Sequence, residues 1–183
     1  GDYSTTLTLN SNYQWSSGSN VTSNRTKTCS IGKKSITITA SEQTITYGNS
    51  IATGTNKVTV ATLATGDTLT AITLTPSTSN VTTTGKITPS AATIKNGNNA
   101  AVTGSYNITY ETGTLTINRA SVDEPNCTSA TYNGSEQTLL AAKTSGAYTN
   151  SAIKGTTAGD YSTTLTLNSN YQWSSGSNVT SNR

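Results

Sequence analysis

Two cysteines carry most of the chemistry that this chain has available. Cys29 and Cys127 are its only thiols, and the 183 residues contain no histidine. Without histidine, neither a Ser-His nor a Cys-His nucleophile pair can form, and two thiols alone are too few ligands for a zinc site. Such a pair indicates a disulfide made in an oxidising, extracellular setting, with two buried free thiols as the alternative interpretation.

The spacing of the other reactive groups does not indicate an active site. The segments Ser30–Lys33 and Ser151–Lys154 have the Ser-x-x-Lys spacing of some acyl-transfer enzymes, but they lack a helical pattern and the partner motifs of those enzymes. Asp123 and Glu124 form the one adjacent acidic pair, and they would bind calcium only with oxygen ligands from a neighbouring domain. We therefore predict that the chain is not an enzyme and has no cofactor or metal site.

Polar residues in the middle of the chain suggest one covalent alternative. Lys34, Glu111 and Asn118 lie in the first and last predicted strands of that region. An internal Lys-Asn isopeptide bond needs such residues on neighbouring strands, with a buried carboxylate between them. Exposed polar side chains are the simpler interpretation.

The two tryptophans allow a functional and a structural interpretation. Trp15 lies two residues after Tyr13, and Trp173 lies two residues after Tyr171. Such aromatic pairs can stack on sugars, so a glycan is a candidate ligand. They also fill cores, and a chain with no Phe and no Met needs large apolar side chains inside.

The composition favours half-buried strands and excludes several partners. Thr occurs 41 times, Ser 25 and Asn 19, whereas charged residues make up 10% and the net charge is +3. Lys and Arg are scattered, which argues against a nucleic-acid partner. No stretch approaches the roughly 18 apolar residues of a membrane span, so we expect no membrane insertion in this segment.

Alternation of apolar residues with Thr predicts many short strands. The runs YSTTLTL, SITITA, KVTVAT, YNITY and GTLTIN have period two, and Tyr-Gly-Asn, Asn-Gly-Asn and Tyr-Asn-Gly turns separate such runs. The run TLTAITLT changes phase in its middle, which predicts a β-bulge. We expect Ile36, Ile38, Val58, Val60, Leu69, Ile108, Tyr110, Leu115 and Ile117 to be inside.

An internal repeat is the most informative feature. Residues 1–25 and 159–183 are identical, at an offset of 158 residues. A tandem array with a period of 158 explains this identity better than a duplicated segment does. Composition breaks divide the chain into residues 1–33, the C-terminal part of one domain; 34–120, a complete domain; and 121–183, a domain that lacks its last strand.

Three motifs in the complete domain resemble a known family. The sequences KSITITASEQTITYGNS, GDTLTAITLT and GSYNITYETGTLTINRA are similar, in this order, to the MBG-type bacterial immunoglobulin-like repeat. The flanking segments, with ATYNGSEQTLL and TAGDYSTTLTLNSNYQWSSGS, resemble another bacterial Ig-like module. The resemblance implies an all-β protein of tandem immunoglobulin-like β-sandwich domains, one complete and two partial, with no catalytic residues.

These observations predict a structural repeat unit of a long extracellular bacterial fibre or adhesin stalk, secreted or anchored to the cell surface. Its partners are neighbouring copies of the same repeat, joined head-to-tail; the alternative is a glycan-binding module that uses exposed Tyr and Trp. Because the domain at 121–183 lacks its last strand, we expect it to recruit the segment native to that position. That segment is Thr26, Lys27, Thr28, Cys29, Ser30 and Ile31. Strand addition places Cys29 opposite Cys127, within one chain or between two.

Overall fold

The computed structural model of the chain is all-β, as the alternating sequences predict. It describes residues 1–18, 21–176 and 179–183. Within these ranges there are fifteen strands and two 3-10 turns of three residues each, and no helix is long and apolar enough to cross a membrane.

The strands form an N-terminal hairpin (β1 and β2), a central unit (residues 34–118) and a C-terminal unit (residues 120–183). The hairpin and the central unit contain β1 (Asp2–Leu7), β2 (Arg25–Ser30), β3 (Lys34–Ala40), β4 (Gln43–Thr46), β5 (Val58–Val60), β6 (Thr68–Pro76), β7 (Thr82–Lys95), β8 (Tyr106–Glu111) and β9 (Gly113–Asn118). The C-terminal unit contains β10 (Ala120–Val122), β11 (Gln137–Leu140), β12 (Tyr148–Thr149), β13 (Ile153–Gly155), β14 (Thr166–Leu167) and β15 (Tyr171–Trp173). The 3-10 turns are Thr55–Lys57 and Thr103–Ser105.

Two sheets form the central unit. One has three strands in the order β5-β3-β8, and the other has four in the order β4-β9-β7-β6. The β3–β8 and β4–β9 pairs are parallel, and the other pairs are antiparallel. Their inward side chains meet in two apolar clusters, each of which contains residues from both sheets. The sheets therefore pack face to face as a β-sandwich.

The core of this sandwich follows the predicted alternation along most strands. Ile36, Ile38, Leu115 and Ile117 are buried, as expected. The other residues that follow the prediction are half-buried against the core: Val58, Val60, Leu69 and Ile108. The core also contains residues of β6 and β7 that were not predicted to be inside, namely Leu74, Ile87, Ala92 and Ile94.

Tyr110 does not lie inside, contrary to the prediction. It is 36% exposed, whereas Tyr106 on the same strand is 5% exposed. Tyr106 packs in the apolar cluster that contains Ile36 and Ile94, whereas the ring of Tyr110 is partly outside the core and its phenol oxygen accepts a hydrogen bond of 2.9 Å from the backbone N–H of Ala92. Ala92 lies where the β6–β7 register shifts, so its N–H is available to a side chain. A second register shift, between Leu69 and Ala71, confirms the predicted bulge.

Three two-stranded sheets form the C-terminal unit, in the pairs β10-β15, β11-β13 and β12-β14. Its apolar cluster contains Tyr148, Leu165 and Trp173, with Val122 and Leu140 packed against them. Tyr148 and Trp173 have ring centroids 5.3 Å apart. The N-terminal hairpin has six antiparallel residue pairs between β1 and β2, from Asp2–Ser30 to Leu7–Arg25.

Candidate functional site

The two identical segments form the same hairpin in their described residues. The indole Nε1 of Trp15 donates to the carbonyl of Ser23 at 2.8 Å, and that of Trp173 donates to the carbonyl of Ser181 at 2.8 Å. The backbone N–H of Leu9 donates to the side-chain oxygen of Asn24 at 2.9 Å. Its counterparts Leu167 and Asn182 make the same bond at 2.9 Å. We call this element, residues 1–25 or 159–183, the repeated hairpin.

Local interactions explain why both copies fold alike. The side chain of Asn10 accepts a hydrogen bond from the N–H of Asn12, and Asn168 does the same for Asn170. This Asx turn needs only residues inside the hairpin. The guanidinium of Arg25 lies 5.1 Å from the ring centroid of Trp15, and that of Arg183 lies 5.3 Å from Trp173.

A glycine is required at the same point of both copies. Gly18 has φ +91° and Gly176 has φ +94°, in the left-handed region that other residues avoid. The same turn is thus encoded twice by the same residue.

The surroundings of the two copies differ. Trp173 is 1% exposed because Tyr148, Val122 and other residues of the C-terminal unit cover it. Trp15 is only partly buried, and Tyr13 is 70% exposed, whereas its counterpart Tyr171 is half-buried. The apolar face that is a core face in the second copy is therefore largely uncovered in the first.

Strand pairing also differs between the copies. The first copy, whose apolar face is less covered, is the one whose strand is fully paired. In the first copy, β1 is paired along its whole length with β2. In the second copy, the equivalent pairing begins with reciprocal backbone hydrogen bonds between Leu165 and Arg183. Within the described residues, no backbone hydrogen bond continues it along 160–164. We call residues 160–164 the unpaired segment.

Two adjoining grooves follow the unpaired segment. One, of about 200 Å³, is lined by Cys127, Tyr161 and Leu165, among others. The other, of about 400 Å³, is lined by Gly159, Tyr161 and Leu139, among others. Tyr161 borders both grooves.

Tyr161 is held in place by a neighbouring threonine. Its phenol O–H donates to the carbonyl of Thr157 at 3.0 Å, and its oxygen lies 3.1 Å from the hydroxyl of Thr157. The hydrogen bond with this hydroxyl lowers the pKa of Tyr161, because it favours the phenolate. The ring therefore has a fixed position at the border of the two grooves.

Both cysteines are exposed and unbonded. The alternative of two buried thiols is thus wrong. Cys127 faces the smaller groove, and Cys29 lies in β2 opposite Tyr3. The six predicted strand-addition residues, 26–31, are all exposed, and Ile31 is 69% exposed. The structure does not bring Cys29 and Cys127 together.

The geometry does not support the calcium alternative. Asp123 accepts a hydrogen bond from the hydroxyl of Ser174, and Glu124 pairs with Arg183 at 2.6 Å. In the part of the chain that the structure describes, no three acidic or cysteine residues form a group able to hold a metal.

The isopeptide alternative requires one buried cluster, and its three residues do not form one. Lys34 is paired with Tyr106 at one end of the β3–β8 pair, while Glu111 is paired with Thr39 near the other end. Five residues of strand, about 16 Å, separate these positions. Asn118 belongs to the other sheet, and all three side chains are exposed.

Sequence reasoning missed the contact between the central and C-terminal units. The side-chain oxygen of Asn170 accepts a hydrogen bond of 2.9 Å from the N–H of Val81, and its amide donates to the side-chain oxygen of Asn80 at 3.0 Å. Tyr47 and Tyr171 meet edge to face, with centroids 5.3 Å apart.

Arg119 adds a further bond at this joint. Its Nε donates to the carbonyl of Ser169 at 3.1 Å. No pattern in the sequence pairs residues 169–171 with a distant loop, so only the folded structure reveals the joint. On the other side of the central unit, no hydrogen bond joins described residues of 1–33 to it.

No family model, no curated protein and no solved structure matches this chain.

Proposed function

We propose that this chain is a structural repeat unit of a long extracellular bacterial fibre or surface adhesin stalk, joined head-to-tail to copies of itself. The repeated hairpin carries the proposal. The same residues form the same hairpin twice, 158 residues apart, and each copy lacks what the other has. In the first copy, β1 is paired with β2, but the apolar face is largely exposed. In the second copy, the apolar face is buried, but residues 160–164 have no strand partner in the described part of the chain. A continuous array supplies both to every copy.

The resemblance to the MBG-type repeat supports this role by analogy. Its three motifs fall on β3 and β4, on β6, and on β8 and β9, and the Tyr-Gly turn of the first motif follows β4 directly. These strands belong to both sheets of the sandwich. On this proposal the central unit is one Ig-like domain and spans distance without binding a ligand or catalysing a reaction.

We include in the proposal a disulfide between Cys29, or its counterpart in the next copy, and Cys127. Cys127 lies beside the unpaired segment, whose first-copy equivalent is already paired with the strand of Cys29. A disulfide at this place points to an oxidising, extracellular location. It would connect the segment between β10 and β11 to the last strand of one complete domain.

Glycan binding is the competing function. Trp173 is buried, and its indole N–H donates to the carbonyl of Ser181. Its ring is therefore not accessible as the predicted aromatic platform for a sugar. Tyr132 and Tyr161 are exposed and line the larger groove, which gives a sugar one place to stack. A strand paired with residues 160–164 would occupy the same groove.

Chains of one, two and three periods, each 158 residues longer than the last, test the fibre proposal. We expect the maximum dimension from small-angle X-ray scattering to rise by a constant increment with each period. A compact particle whose dimension grows only as the cube root of mass would contradict the proposal. Binding to a glycan array that is lost in Tyr132→Ala, with the fold unchanged, would favour the competing function.

A further inference from the structure

One surface turn of the C-terminal unit contains a site of spontaneous covalent modification. We propose that Asn133 loses its side-chain amide through a cyclic imide formed with Gly134, whereas Asn96 in the central unit is protected from the same reaction. These two asparagines are the only ones that the sequence follows with glycine. The inference goes beyond the proposed function and does not depend on it.

The reaction needs a small residue after the asparagine. The backbone nitrogen of the next residue must reach the side-chain carbonyl carbon of the asparagine, and glycine lets it approach because it has no Cβ. The pairs Asn96-Gly97 and Asn133-Gly134 both meet this requirement. The rate at each pair therefore depends on how easily the folded structure lets the ring close.

The reaction balances with water as its only reagent. The nitrogen of Gly134 attacks the Cγ atom of Asn133, an N–C bond forms, and the side-chain nitrogen leaves as ammonia with the proton of the Gly134 N–H. Water then opens the imide. Cleavage between nitrogen and Cγ gives aspartate, and cleavage between nitrogen and the main-chain carbonyl carbon gives isoaspartate. Either product carries a new carboxylate, which lowers the formal net charge by one from +3.

Few contacts restrain Asn133. Asn133, Gly134 and Ser135 are all exposed, and they lie between β10 and β11 in a segment without strands. The side-chain oxygen of Asn133 accepts one described hydrogen bond, from the N–H of Ser135 at 2.9 Å. Among the described residues, no backbone group of 129–135 bonds to another backbone group. Imide formation there has to break little more than one exposed hydrogen bond.

The site is also open to water. Neither Asn133 nor Gly134 lines the two grooves, although Tyr132 lines the larger one. A Cβ placed on Gly134 would meet no atom within 4 Å apart from its chain neighbours. Water can therefore reach the imide whether or not the grooves are occupied.

Asn96 has the same following residue but is held by several bonds. Its side-chain oxygen accepts hydrogen bonds from the N–H groups of Asn98 and Ala100, at 3.1 and 3.0 Å. Its backbone N–H donates to the carbonyl of Ala100 at 3.0 Å, and its carbonyl accepts from the N–H of Asn99 at 2.8 Å. The half-buried side chain of Asn96 thus holds together the turn that follows β7.

These bonds determine the expected difference in rate. Ring closure turns the asparagine side chain over its own following peptide, so the bonds to its oxygen must open first. At Asn96 two such bonds and the backbone bonds of the turn have to open, whereas at Asn133 there is one. Opening one further net hydrogen bond can slow a reaction by up to about tenfold. In the folded chain, Asn133 should therefore react faster than Asn96 by about tenfold or more.

The first experiment incubates the intact chain in H₂¹⁸O at mildly alkaline pH and follows its peptides by mass spectrometry. We expect the peptide that contains Asn133 to exchange its amide group for one that carries a solvent ¹⁸O, and to split into aspartate and isoaspartate forms. The peptide that contains Asn96 should change more slowly by about tenfold or more. Equal rates, a faster change at Asn96, or no change at Asn133 would overturn the inference.

The same incubation in guanidinium chloride tests whether the fold causes the difference. In the unfolded chain both asparagines keep their following glycine but lose their folded contacts, so the two rates should become similar. If the ratio of the rates is the same in the folded and the unfolded chain, the turn at Asn96 gives no protection and the inference is wrong.

A matched pair of variants assigns the change of charge. Asn133→Gln should remove most of the acidic forms that ion-exchange chromatography resolves after incubation, because glutamine has to close a larger ring. Asn96→Gln should leave these forms in place. Loss of the acidic forms in Asn96→Gln but not in Asn133→Gln would contradict the assignment. If Asn96→Gln does not fold, the ratio of rates in the unmodified chain still decides.

Discussion

The two copies of the repeated hairpin are identical in sequence and nearly identical in internal hydrogen bonding, yet Trp15 is partly exposed and Trp173 is buried. This difference separates what the local sequence contributes to the conformation of the hairpin from what neighbouring elements contribute to its burial. The Asx turn, the glycine and the indole bond establish the shape of the hairpin locally. Burial comes from the elements that neighbour it, which only the second copy has.

Removing the tryptophan should show the largest difference between the copies. Trp173→Ala takes a fully covered side chain from the C-terminal cluster, and we expect a loss of about 3–5 kcal/mol in the stability of that unit. Trp15→Ala should cost about 1 kcal/mol in the hairpin, because few packing contacts are lost. Hydrogen exchange of the Ser174 amide, which donates to Val122, measures the first effect. Equal effects of the two variants would show that the first hairpin is covered in solution.

The central unit gives a reference for a core that is closed on both sides. Ile117 is buried between the two sheets, so Ile117→Ala should cost about 2–5 kcal/mol. Thermal unfolding followed by far-ultraviolet circular dichroism measures this cost. A melting temperature equal to that of the unmodified chain would show that the register of β9 is wrong.

Substitution of the joint residue Asn170 should show a smaller difference in stability between the two copies. Asn170→Ala leaves the N–H of Val81 without its acceptor and removes the bond to Asn80, with an expected cost of about 1–3 kcal/mol. Asn12→Ala changes the same residue in the first copy, whose side chain makes no such bond in the described structure, and it should be nearly neutral. Denaturant unfolding of both variants makes the comparison, and a neutral Asn170→Ala would show that the joint adds no stability.

For the asparagine that bonds to a leucine N–H in each copy, we expect no difference in stability between the copies. Asn24→Ala and Asn182→Ala each remove one local bond to a backbone N–H, and both should cost about 1 kcal/mol. Hydrogen exchange of the Leu9 and Leu167 amides gives the two values. A clear inequality would mean that the surroundings, as well as the local sequence, hold the hairpin together.

Period-two alternation allowed the all-β class and much of the central core to be predicted, because Ile36, Ile38, Leu115 and Ile117 lie on runs without interruption. Ile87 and Ile94 were missed because β7 changes phase between them: Ile87 and Pro89 are buried in one phase, and Ala92 and Ile94 are buried in the other. Tyr110 was misplaced since alternation assigns a face and does not show how far along β8 the apolar cluster extends: Tyr106 packs in that cluster, and Tyr110 is 36% exposed.

The candidate site was partly readable from the sequence. Self-comparison revealed both copies of the hairpin and the segment native to the unpaired edge. The grooves beside Tyr161 depend on how residues 127–140 pack against residues 153–165, and no local pattern encodes that packing. The Asn170 joint likewise connects residues 89 and 90 positions apart.

In the proposed fibre, the joint at Asn170 would make the two junctions of each repeat differ in stiffness. At this joint, the bonds of Arg119 and Asn170 and the edge-to-face contact of Tyr47 with Tyr171 would resist bending. On the opposite side, Gly32 and its neighbours connect β2 to β3 without hydrogen bonds to the central unit among the described residues. A fibre would therefore flex at every second junction, and the persistence length of the whole would depend on three residues, 31–33.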